Sequence, residues 1–186
     1  MSKLDIDQAR YESIASAGAG FAFLFCFGLT WIACAIASYF VSVEIAAWIY
    51  ILQAVVAAPA ALALQRALRY PKASPDNPLW PLAIQLFLVQ AVAFPAYILA
   101  LDIAPAYTPV VFAALLGAHF LPYQWLHRTR VYGVLAVVVS VGAYVVAIVA
   151  GTLSVHYTGF FVGAALLVAS VFVRAHAKRV VAVGAP

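Results

Sequence analysis

Residues 131–150 read VYGVLAVVVSVGAYVVAIVA, twenty consecutive positions without a charge. At about 1.5 Å per residue a helix of that length spans about 30 Å, the thickness of a bilayer's hydrocarbon core. Inside lipid each backbone N–H and C=O needs a partner within the chain, and a helix supplies them all. The stretch therefore predicts a transmembrane helix, and its neighbours on both sides repeat the pattern. Spans are expected over 18–41, 45–65, 82–101, 107–126, 131–150 and 157–173. The predicted fold is all-α, an integral membrane bundle of six transmembrane helices. A segment 1–17 precedes it and a basic tail 174–186 follows it. Across the chain 67% of residues are hydrophobic, 9% are charged and mean hydropathy is +1.05, well outside the soluble range.

The net charge of +4 is no nucleic-acid signature, because the ten Lys and Arg are scattered in ones to threes with no basic stripe. They act instead as topology signals. Lys3 and Arg10 precede the first span, Arg66, Arg69 and Lys72 follow the second, Arg128 and Arg130 the fourth, and Arg174, Lys178 and Arg179 the sixth. All ten fall on one side of a six-helix arrangement. Lys and Arg accumulate on the cytoplasmic side of short loops, so both termini are expected in the cytoplasm of a multipass cell-membrane protein. The bilayer is its predicted partner; no cofactor and no metal site are expected. Glu44, Asp102 and His156 mark the opposite face, without ligand spacing. Cys26 and Cys34 lie eight positions apart on one predicted helix, about 12 Å along its axis and beyond disulfide reach. The connection RALRYPKASPDNPLWP predicts an ordered loop, and Thr108 with Pro109 predicts a cap and first turn for the fourth helix.

Polar residues inside the spans are the functional candidates. Depth counting places Gly117 near the midplane, with His119 and Tyr123 sharing a face toward the cytoplasm and Trp125 at the interface. Pro122 lacks an amide and predicts a bend there; Pro59 and Pro95 predict bends in the second and third helices. Thr30, Trp31, Gln53, Gln90 and Ser140 fall at similar depth, forming a predicted polar layer with His119, a residue able to change charge near neutral pH. The same groups also suit hydrogen bonding from helix to helix, with Gly117 permitting close packing. GFFVG at Gly159 to Gly163 is a GxxxG match, suited either to joining two copies of the chain or to packing within one. Arg174, His176, Lys178 and Arg179 suit acidic head groups as well as topology anchoring.

No Asp or Glu lies inside a helix core, which disfavours carboxylate-based cation exchange, and no phosphate loop, paired-His or nucleophilic-serine motif is present. Three functions remain open. The leading one is binding or passage of a small solute or proton at the His119 layer. The second is a structural or regulatory membrane subunit, and the third an enzyme using His119 as a general base.

The stretch GAHFLPYQWL at 117–126 resembles an uncharacterised family of small multipass bacterial membrane proteins sharing Gly-Ala-His-x-Leu-Pro-Tyr-x-Trp-Leu. The matching positions are Gly117, Ala118, His119, Leu121, Pro122, Tyr123, Trp125 and Leu126. The resemblance implies a small all-helical membrane fold, in a bacterial inner membrane, and draws attention to His119, Pro122 and Tyr123; it implies no activity.

Overall fold

The computed structural model describes residues 6–184, so Lys3, Asp5 and the final two residues lie outside the description. Nine α-helices order the described residues: α1 (Ile6–Ala17), α2 (Phe21–Ala37), α3 (Val43–Leu52), α4 (Ala54–Ala67), α5 (Trp80–Val92), α6 (Phe94–Ile103), α7 (Thr108–Leu126), α8 (Val131–Ala150) and α9 (Ser154–Val183). They form five stretches long and apolar enough to cross a membrane: Ile6–Ala37, Val43–Ala67, Trp80–Ile103, Pro105–His127 and Val131–Val183. The last stretch, of 53 residues, contains α8 and α9 with the turn Gly151–Leu153 between them. Gly151 (φ 56°, ψ −130°) adopts a backbone conformation open to glycine, and α8 and α9 pack against one another beyond it. The chain therefore reverses inside that stretch.

Small residues set the closest helix approaches. At the α2–α9 crossing, a Cβ on Gly163 would meet the Gly28 carbonyl at 2.7 Å, and one on Gly159 would meet the Trp31 carbonyl at 2.8 Å. The GxxxG face is thus occupied by α2 of the same chain. Gly117 plays the same part between α7 and α8, where a Cβ would run into Ser140 Oγ and the Ala136 carbonyl. Around this centre α3 and α4 pack on α2 and α7, while α5 and α6 lie at the periphery. Only Leu86 of α5 and Tyr97 of α6 are buried. Large apolar side chains point outward, including Val55 (70% exposed), Val92 (80%) and Val149 (81%), a surface suited to lipid rather than water.

Three details depart from the sequence reading. First, helix formation begins at Ile6 rather than near Gly18, and the chain turns at Gly18–Gly20, where Gly18, Ala19 and Gly20 all have positive φ (55°, 51° and 83°). Tyr70 packs on Gly18, and Tyr132 donates its hydroxyl proton to the Ala19 carbonyl at 2.6 Å. This turn lays α1 across one end of the bundle. Asn77 Nδ2 donates to the Ala9 carbonyl at 2.9 Å, Glu12 accepts from the Ser74 amide at 3.2 Å, and the Arg10 guanidinium lies 3.8 Å above the Trp125 ring. Periodicity misses α1 because its partners are loops distant in sequence. Second, the second and third spans are each interrupted, at Gln53 and at Ala93. Pro95 starts α6 directly after its break, whereas Pro59 sits inside α4, six positions past Gln53. Third, Thr108 does not cap α7. A turn at Pro105–Tyr107 leads into that helix, and the Thr108 hydroxyl is buried without a partner.

Candidate functional site

Leu115, His119, Tyr123 and His127 succeed one another at four-residue intervals, so α7 presents them along one face. Helix α5 lies beside that face. Gln90 Nε2 donates to the Leu115 carbonyl at 3.3 Å. His119 Nδ1 is buried without a partner. Its ring meets Tyr123 edge-on at 5.1 Å; Tyr123 then stacks on His127 at 5.7 Å, and Tyr132 lies 5.5 Å from both Tyr123 and His127. His127 is buried, with Nδ1 also unpartnered, and its carbonyl accepts from His176 Nε2 at 2.9 Å. The result is a ladder of four titratable rings running from the middle of α7 to the end of the bundle covered by α1. Pro122 is exposed and lies within α7, which continues to Leu126.

A second polar group lies around the break at Gln53. Thr30 Oγ1 is 3.0 Å from Gln53 Oε1, while Gln53 Nε2 is buried and unpartnered. Trp31 is fully buried with Nε1 unpartnered, and its ring touches Tyr50 at 5.2 Å and Phe112 at 5.3 Å. Phe112 meets Tyr97 at 4.6 Å, and the Tyr97 hydroxyl donates to Gln90 Oε1. A continuous aromatic bridge therefore joins Trp31, beside the Gln53 break, to Gln90, beside the Ala93 break.

Of the residues singled out by sequence, Thr30 and Gln53 meet directly, Trp31 and Gln90 are linked through Phe112 and Tyr97, and His119 and Tyr123 adjoin them along α7. Ser140 does not join this group: its hydroxyl donates to the Ala114 carbonyl at 3.0 Å, at the seam with Gly117. His127 and Tyr132 escaped notice because they fall in the segment LHRTRVY, which reads as a basic membrane anchor. The four-residue spacing from His119 was the available signal. At the other end of the bundle His156 stacks on Tyr39 at 4.3 Å and places Nδ1 2.7 Å from Ser38 Oγ. Among the described residues no group of His, Cys, Asp and Glu is arranged to hold a metal ion, and Cys26 and Cys34 are both free. No curated protein and no solved structure matches the chain. Residues 6–176 match a family of unknown function, DUF7010, and the chain belongs to that family.

Proposed function

We propose that this is a six-crossing membrane protein that binds or passes a proton or small polar solute along the seam between α5 and α7. The observation that carries the proposal is the unpartnered, buried Nδ1 of His119, placed between the Gln90 contact and the Tyr123–His127 stack. A buried polar atom without a partner costs about 1–3 kcal/mol. A fold that retains two on one ladder, at His119 and His127, keeps hydrogen-bonding capacity available for something that is not protein. The loose packing of α5, buried only at Leu86, leaves one wall of the seam free to move.

Two features of the geometry support six crossings. At about 1.5 Å per residue the stretch Val131–Val183 is far longer than a bilayer core, and it reverses at Gly151. Residues before the first span, after the second, after the fourth and late in the sixth also meet at one end: Asp7 pairs with Arg128 at 3.2 Å, Tyr70 packs on Gly18, and His176 bonds His127. By the distribution of basic residues that end is cytoplasmic. The resemblance carried by 117–126 supports a bacterial inner membrane, with that stretch as the family's signature.

An alternative is a structural or regulatory subunit without a path. It is favoured by the hydrogen bonds that Thr30, Gln90 and Ser140 already make within the chain. Vesicles reconstituted with the purified protein and loaded with a pH-sensitive dye decide between the two, read beside osmotic swelling in small polar solutes. Flux above that of empty vesicles, lost in His119→Ala and Tyr123→Phe while their melting temperatures stay near wild type, supports the path. Flux equal to empty vesicles, with His119→Ala melting far below wild type, makes the ladder a packing motif.

A further inference from the structure

At the Gly18–Gly20 turn, away from the α7 ladder, lies a cavity of about 420 Å³ between the end of α1, the loop after α4 and the last turns of α9. Its polar wall is made by Tyr70, Arg174 and Lys178; Leu68, Pro71 and Gly18 supply part of the apolar remainder. Arg174 and Lys178 are four residues apart on α9 and so project from the same face, a like-charge pair that destabilises a helix on its own. No carboxylate lines the cavity, and among the described residues neither cation enters an ion pair. The Arg174 guanidinium rests 4.6 Å from the Phe21 ring centroid, which fixes the group while leaving its edge donors available. Tyr70 is held in place by Gly18, where any side chain would collide with the phenol ring. Burial raises the Tyr70 pKa, opposed by the Arg174 charge, so the hydroxyl stays a hydrogen-bond donor at neutral pH.

We infer that this cavity binds a phosphate group, with Arg174 and Lys178 supplying the charge and the Tyr70 hydroxyl a neutral donor. Guanidinium and ammonium groups with a nearby hydroxyl match a tetrahedral oxyanion, and the apolar remainder suits a group that continues into the bilayer. Two sources share this chemistry: the head group of an acidic phospholipid and free phosphate. A site here would tie the loop after α4 to α9 next to the turn that aims α1.

The test uses the full-length protein in detergent at constant ionic strength, titrated with short-chain phosphatidylglycerol, short-chain phosphatidylcholine and inorganic phosphate, with melting temperature as the readout. Saturable stabilisation by phosphatidylglycerol and not by phosphatidylcholine is expected. Arg174→Gln and Lys178→Gln should each weaken it about fivefold, and the double variant about 25-fold, from the usual worth of one basic residue at an anionic surface. Arg130→Gln, a charge outside the cavity, should leave it unchanged. Competition by inorganic phosphate assigns the site to free phosphate, and its absence assigns it to the lipid head group; either upholds the site. If the double variant does not fold, Tyr70→Phe decides, since it keeps the ring over Gly18 and removes only the hydroxyl; several-fold weaker binding is expected. Equal binding of phosphatidylcholine, wild-type affinity in Lys178→Gln and Tyr70→Phe, or an equal loss in Arg130→Gln would overturn the inference.

Discussion

Replacing Gly163 with leucine should force α2 away from α9, and the structure sets the size of the effect. A Cβ at this position meets the Gly28 carbonyl at 2.7 Å and the Ile32 amide nitrogen at 3.1 Å, whereas ordinary contact begins at 3.4 Å. Both atoms belong to the α2 backbone, so no side-chain rotation relieves the clash and the helices must part by several tenths of an ångström. Overpacking of this kind costs about 1–3 kcal/mol. For Gly163→Ala it is partly offset by the better helix propensity of alanine, worth about 1 kcal/mol, so a net loss of about 0–2 kcal/mol is expected. Leucine adds further carbons to the same crossing and should cost about 3 kcal/mol. For a chain of this length that lowers the melting temperature by about 6–12 °C. Gly133→Ala is the control. Its added Cβ meets only the side-chain end of Gln124, an exposed residue free to swing away, so that variant should be neutral or slightly more stable. Melting of the detergent-solubilised proteins, followed by tryptophan fluorescence, measures all three. Gly163→Leu melting with wild type would refute the reasoning, because the Gly159 and Gly163 face would then not be packed on α2 in the folded protein. A change from dimer to monomer in that variant would assign the face to a second copy of the chain.

Tyr132→Phe removes the donor to the Ala19 carbonyl, leaving a buried acceptor unpaired at a cost of about 1–3 kcal/mol. Hydrogen exchange should accelerate across 6–20 and stay unchanged at the α2–α9 crossing; unaltered exchange in 6–20 would show that this bond does not hold the turn. Reporter fusions after Pro186 and within the loop at Asp76 should both report the cytoplasm. A signal from the other side, in a correctly inserted protein, would overturn either the count of six crossings or the orientation.

The sequence by itself determined that the described chain is helical and built to enter a membrane. Apolar runs of bilayer length leave the backbone no other way to satisfy its polar groups, and that constraint acts locally, residue by residue. It also singled out His119, because an ionisable group within such a run stands against its background. Only the tertiary structure decided what depends on distant partners. Whether Gly159 and Gly163 meet another molecule or Gly28 and Trp31 of their own chain is a matter of which helix lies opposite. The pairing of Thr30 with Gln53 joins separate helices, and so does the bridge from Trp31 through Phe112 and Tyr97 to Gln90. Helix α1 is the clearest case: its polar, weakly patterned sequence carries little local signal. Its place is set by Tyr70, Tyr132, Asn77 and Trp125, contributed by segments far along the chain. The extension of the His119–Tyr123 pair to His127 and Tyr132 likewise needed the fold, because a histidine beside two arginines reads as a membrane anchor until its ring is seen packed against Tyr123 and Tyr132.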